Sequence, residues 1–201
     1  MDAPVYFCRL GAIIGHEMTH GFDSGGRQYD ADGNLRDWWT PEDARAFEAE
    51  AQKLIDQANA FEVLPGLMAN GPLNVKENMA DVGGITFAHE ALMHYLAEHP
   101  EETVEIDGLT PEQRCFIAWA QMWTWKATDQ FVRTIVATDG HPPSPYRTTA
   151  PLQHVDAFYE AFDIKEGDPM WLPPEQRVST RGKTTRRARP MRLSLMRQGS
   201  W

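Results

Sequence analysis

The segment GAIIGHEMTHGFDS, residues 11–24, constrains this chain more than any other stretch. Two histidines stand four positions apart, with a glutamate directly after the first, among the apolar residues Ala12, Ile13, Ile14, Met18 and Phe22. At 3.6 residues per turn, a helix through this segment projects His16 and His20 from one face, so two imidazoles converge on one point. Glu17 lies beside that point rather than on it, where a carboxylate can take a proton from a zinc-bound water and return it to a leaving amine. The pattern is HExxH, a helix-borne zinc signature. The competing assignment is a pair of hydrogen-bonded core histidines on an ordinary buried helix.

A hydrolytic zinc takes three protein ligands and keeps one position open, so a third ligand must come from elsewhere. The continuation His-x-x-Gly-x-x-His is excluded, because the required positions hold Asp23 and Gly26. The remaining option is a carboxylate on a later helix. NVKENMADVGGITFAHEAL offers Glu77 with Asp81 four residues on, again on one helical face. Glu77 suits a ligand. Asp81 suits the carboxylate that accepts the outer N–H of a metal-bound histidine and fixes its tautomer. In this arrangement Asp81 holds His16, and Asp23, three residues past His20, holds His20. Taken singly, each carboxylate reads as a solvated helix-face residue; together they read as a site.

The stretches GHEMTHGFDSGGRQYDADGNLRDWW and LNVKENMADVGGITFAHEAL resemble the C-terminal, zinc-bearing part of the neprilysin family of metallopeptidases, with ENMAD standing for that family's ExxxD element. The similarity continues in FIAWAQMWTWKATDQFVRTIVATDGHPPSPYRTTAPLQHVDAFYEAFDIKEGDPMWLPPEQRV, so it runs from about residue 11 to residue 178. The resemblance implies one Zn2+ per chain held by His16, His20 and Glu77, with Glu17 as general base and Asp81 supporting the first histidine. It also places His141 and Arg147 of TDGHPPSPYR at the family's late histidine and arginine. Their implied roles are stabilising an oxyanion and gripping a substrate backbone carbonyl. The implied fold is mainly α, a zincin of the gluzincin type forming a helical catalytic subdomain with long loops.

Two functional readings follow. The first is a zinc-dependent endopeptidase acting on small peptides, with Glu17 activating water. The second is a truncated zinc-binding fragment that needs an N-terminal domain or partner for activity. Family members carry a large N-terminal portion and an Asn-Ala segment upstream of the zinc helix. NAF at 59–61 is no substitute, because it follows the zinc motif. The resemblance also implies an extracytoplasmic, periplasmic or secreted setting.

At 201 residues, 42% hydrophobic and 24% charged, the chain fits one globular unit, here expected over 1–178. The net charge is −10, yet the last 25 residues hold eight of the 19 basic residues and none of the 29 acidic ones. Residues 179–201 therefore read as a basic, unstructured tail, and the lack of interleaved aromatics argues against a nucleic-acid surface. No apolar run reaches the roughly 18 residues of a membrane span, and the N-terminus lacks the pattern of a secretory signal. Cys8 and Cys115 belong to no Cys-x-x-Cys, so neither a disulfide scaffold nor a cysteine-bound zinc is expected.

Punctuation predicts a zinc helix near 8–22, with MDAPVYFCRL a weak start for it, and then a Gly/Asp-rich loop. Thr40-Pro41 opens a helix to about Ala60, the ENMAD helix spans about 75–98, and Thr110-Pro111 opens a helix to about Val136. A shorter helix is expected from Pro151 to Phe162, with few strands. His89, His94, His99 and His154 read as structural or surface residues. Trp119, Trp123, Trp125 and Phe116 read as core.

Overall fold

The structure, a computed structural model, describes residues 2–178; the tail expected at 179–201 lies outside the described residues. The zinc motif sits in one unbroken helical backbone: α1 (Ala3–Tyr6), a π-helical turn (Phe7–Gly11), α2 (Ala12–Thr19) and a 3-10 turn (His20–Phe22). This run starts five residues earlier than expected. Pro4 suits a first helical turn, and Asp2 is held by Arg114 through Nε–Oδ2 at 2.9 Å, so MDAPVYFCRL is anchored by tertiary contact.

The second helix, α3 (Pro41–Asn59), begins as read, with the Thr40 side chain accepting from the Asp43 N–H. A hairpin that sequence reading assigned to loop follows, β1 (Glu62–Leu64) paired antiparallel with β2 (Leu67–Met68), turning at Gly66 with φ +74°. The ENMAD helix, α4 (Gly71–Glu98), starts four residues before the expected point because Asn70 caps the Leu73 N–H and Pro72 fits the first turn. The helix expected to reach Val136 is instead broken. It stops as α5 (Pro111–Met122) and resumes as α6 (Asp129–Thr138), where Thr128 provides a new cap by accepting from the Phe131 N–H. TDGHPPSPYR is also not all loop, since α7 (Ser144–Thr149) forms within it. The last expected helix is divided into a 3-10 turn (Pro151–His154) and α8 (Asp156–Phe162).

The core is built around α4. Ile85, Ala88, Leu92 and Leu96 pack with Cys8 and Ala12 on one side and with Phe116, Trp119, Leu152 and Phe158 on the other. A second cluster joins Ala51 and Leu54 of α3 to Val75 and Val82 of α4. Trp119 and Phe116 are core as expected, whereas Trp125 is 38% exposed, because the chain has left α5 before reaching it.

Where α2 meets α4 the backbones touch. A Cβ on Gly84 would stand 2.5 Å from the Ala12 carbonyl oxygen and 2.9 Å from the His16 nitrogen, and one on Gly15 would stand 3.1 Å from the Gly84 Cα. Only glycines allow this approach, and it sets the distance between the two helices that carry the candidate ligands.

Cys8 and Cys115 form a disulfide between the π turn and α5, contrary to the sequence expectation. The residues are 107 positions apart, so the pairing is a product of the fold and leaves no local trace. In a chain-entropy account a loop of that length contributes about 4–5 kcal/mol.

His154 is buried and satisfied in one tautomer only, since Nε2–H donates to Gln57 Oε1 at 3.0 Å and Nδ1 accepts from the Val178 N–H at 3.0 Å. Burial, with Lys53 and Arg177 nearby, pushes its pKa down to about 3. An unfolded histidine binds its proton near pH 6.5. Stability from His154 is therefore complete above that value and is lost as pH falls from 6.5 towards 3, by about 1.4 kcal/mol per unit. Urea unfolding at pH 7 and pH 5 should show this slope as the difference between the wild type and His154→Gln, since the raised His16 pKa acts with the opposite sign in both proteins.

Candidate metal centre

α2 and α4 bring His16, His20 and Glu77 together, with one donor atom from each lying within 4.8 Å of the others. The His16 and His20 Nε2 atoms are 3.0 Å apart, His16 Nε2 is 3.2 Å from Glu77 Oε2, and His20 Nε2 is 3.6 Å from Glu77 Oε1. Tetrahedral zinc with bonds of about 2.0–2.1 Å holds its donors roughly 3.3 Å apart, so these spacings bracket what the ion requires.

The outer ring nitrogens decide which way the inner ones face. His16 Nδ1–H donates to Asp81 Oδ1 at 2.9 Å, and His20 Nδ1–H donates to Asp23 Oδ2 at 2.7 Å. In the neutral rings both Nε2 atoms then present lone pairs to one another, an arrangement that a shared cation satisfies and that two facing acceptors do not. Glu77 Oε2 adds a buried oxygen that faces His16 Nε2 at 3.2 Å and His141 Nε2 at 3.3 Å. Two imidazoles and one carboxylate are the donor set of a zinc site with an open position, and the residues fit the ion.

The supporting carboxylates are fixed in turn. Asp23 is buried, and its Oδ1 accepts the N–H groups of Gly25 and Gly26 at 2.6 and 2.8 Å. Burial opposes its charge, but the His20 bond and these two N–H groups hold its pKa below the usual carboxylate range. A Cβ on Gly26 would collide with the His20 carbonyl, so the turn after the zinc helix requires glycine there. Asp81 is fully buried and forms a fork with Arg147, Nε to Oδ2 at 2.8 Å and Nη2 to Oδ1 at 2.5 Å. The Arg147 guanidinium lies 3.6 Å from the centroid of the Trp123 ring, so two of its three nitrogens are engaged by Asp81 while one face is covered by indole.

Burial alone would lower the His16 pKa; hydrogen bonds to Asp81 and Glu77 outweigh it and raise the metal-free value to about 9. Metal loading at neutral pH therefore displaces a proton. Glu77 is also buried in part, yet its bond to His16 and the charges of His141 and His20 hold its pKa low.

Glu17 is exposed on the turn between the two histidines. His141 reaches the centre from the segment before α7, its Nε2 3.3 Å from Glu77 Oε2 and its Nδ1 2.9 Å from Asp139 Oδ1. His89, His94 and His154 line a separate cavity of about 560 Å³ that shares no residue with the three donors.

Three contributors escaped sequence reading. Asn74 donates from Nδ2 to the carbonyls of Asp139 and Gly140 at 3.1 and 2.9 Å, tying the His141 segment to α4 one turn before Glu77. Asp139 orients His141 through both the ring and the backbone N–H, and Trp123 covers Arg147. Asn74 alone left a signal, its place one helical turn before Glu77 on the same face.

A mainly helical scaffold presenting two histidines from one helix and a glutamate from a later one defines a zincin of the gluzincin class. The chain belongs to peptidase family M13, whose sequence pattern matches residues 1–178. It is 38% identical over 169 residues to the neutral endopeptidase of Lactococcus lactis subsp. lactis, covering 84% of this chain and 25% of that one. It is 39% identical over 167 residues to neprilysin-2 of Drosophila melanogaster, covering 82% and 21%. Among solved structures, the Mycobacterium tuberculosis zinc metalloprotease Zmp1 in complex with inhibitor superimposes with a TM-score of 0.84 at 39% identity, covering 89% of this chain and 28% of that one. The chain thus spans about a quarter of the length of the curated relatives it matches.

Proposed function

We propose that this chain is the zinc-bearing portion of a metalloendopeptidase that hydrolyses peptide bonds. The observation that carries the reading is the convergence of His16, His20 and Glu77, with both histidines aimed inward by Asp81 and Asp23. Zinc bound there supplies Lewis-acid charge to a substrate carbonyl and to the attacking water. Glu17, exposed beside the ligands, accepts a proton from that water and passes it to the leaving amine. His141, held by Asp139 at Nδ1, donates from Nε2, when its ring carries both protons, to the oxygen that gains charge as the carbonyl becomes tetrahedral.

Arg147 acts chiefly through Asp81, whose charge it balances, and only Nη1 is left to meet a substrate carbonyl. The disulfide supports an oxidising, extracytoplasmic setting. Among the described residues no helix is long and apolar enough to cross a membrane.

The test is hydrolysis of a quenched fluorescent peptide library by the oxidised chain. Cleavage that stops on chelation and returns with one equivalent of zinc supports the proposal; cleavage indifferent to chelator contradicts it. Zinc binding without cleavage selects the second reading, a centre that needs further polypeptide, which the short span relative to the relatives favours.

A further inference from the structure

His141 reaches the metal centre from a segment that packing holds only loosely on its upstream side. Residues 124–131 are all exposed, and α6 buries only Val132 and Val136 of its ten residues. Two valines do not set a side chain beyond the helix end to the roughly 0.5 Å that a catalytic arrangement needs. Downstream the chain is firmer, since Pro142 and Pro143 are buried. Between the loose helix and His141 stand Asp139 and Gly140, and one side chain takes the carbonyls of both. Asn74 Nδ2 donates to Asp139 at 3.1 Å and to Gly140 at 2.9 Å. An amide nitrogen has two protons for this, a hydroxyl has one and a carboxylate has none. The Gly140 backbone also lies against the first turn of α4, where an added Cβ would stand 4.0 Å from the Leu73 carbonyl oxygen. Asn74 is 0% exposed, and its Oδ1 meets no donor among the described residues. A buried amide that is paired on one side only costs free energy, so stability alone does not account for asparagine here.

We propose that Asn74 is a positioning residue for His141, clamping the backbone of Asp139 and Gly140 to the helix that carries Glu77. The role given to His141 rests on the peptidase reading; its placement by Asn74 does not. Asn74 stands three residues before Glu77, so clamp and candidate ligand move as one rigid piece of α4. The clamped Asp139 then holds His141 twice, because its Oδ1 accepts from the backbone N–H and from Nδ1–H, each at 2.9 Å. His141 Nε2 is thereby kept 3.3 Å from Glu77 Oε2. The histidines of α2 do not depend on this clamp, since Asp81 and Asp23 orient them. Releasing it should displace His141 and leave the metal in place.

The test is Asn74→Leu, close in volume and without a donor, made in the wild type and in His141→Leu. In the zinc-free chain, amide hydrogen exchange over residues 139–141 should rise about tenfold or more, with exchange over α2 unchanged. One zinc per chain should still bind. In the zinc-loaded chain kcat should fall about 10–100-fold with KM within about twofold, and adding Asn74→Leu to His141→Leu should cause no further loss. Unchanged exchange at 139–141, an equal rise over α2, or loss of zinc overturns the proposal. So does a full further loss of kcat in the His141→Leu background, because Asn74 would then act by another route. Asn74→Thr, with one donor for two carbonyls, should exchange at a rate between wild type and leucine, and it carries the test if the leucine variant does not fold; exchange equal to wild type would overturn the clamp. The exchange readout needs neither zinc nor hydrolysis, so this proposal and the peptidase reading fail separately.

Discussion

Glu17→Gln is expected to lower peptide hydrolysis by about 10²–10⁴-fold while leaving zinc bound, the range that loss of a general base produces. The argument is geometric. Glu17 follows His16 directly, is exposed, and is not among the three groups that converge as donors. Glutamine keeps the size and the helix propensity but cannot accept the water's proton. Metal content and melting temperature of the variant should therefore match the wild type, and kcat should carry the loss. A variant that loses zinc, or one that hydrolyses normally, would remove Glu17 from the role of base.

Asp81→Asn carries the largest expected structural cost, about 3–5 kcal/mol, with zinc affinity reduced about 10–100-fold. Two effects share one side chain. Fully buried, Asp81 both fixes the His16 ring through Nδ1 and balances the Arg147 guanidinium. An amide of the same shape leaves a buried cation uncompensated. Urea unfolding reads the first effect and zinc competition the second. The double variant Asp81→Asn, Arg147→Leu should recover much of the stability but not the affinity, because His16 still lacks a carboxylate. Recovery of both together would mean that Asp81 acts only as a charge partner and does not position the metal ligand.

The clustering of the candidate donors was legible in the sequence through helical spacing: four residues from His16 to His20, and four from Glu77 to Asp81. Helix starts at Thr40 and Thr110 were legible because capping is local chemistry. The Cys8–Cys115 pairing, the break after Met122 and the fork from Arg147 to Asp81 were not, since each is decided by residues distant in sequence. Gly83-Gly84 was visible as letters. Its meaning, Gly84 against the backbone of Ala12 and His16 and Gly83 against the Thr19 side chain, appears only when α2 lies across α4.

The most direct test of the account is metal analysis of the oxidised, purified chain beside Glu77→Gln. The account predicts one zinc per wild-type chain and an affinity more than about 100-fold weaker in the variant, since losing a ligand should exceed the loss of a group that only orients one. A wild type without zinc, or a variant that binds it equally well, would contradict the claim that His16, His20 and Glu77 form the centre.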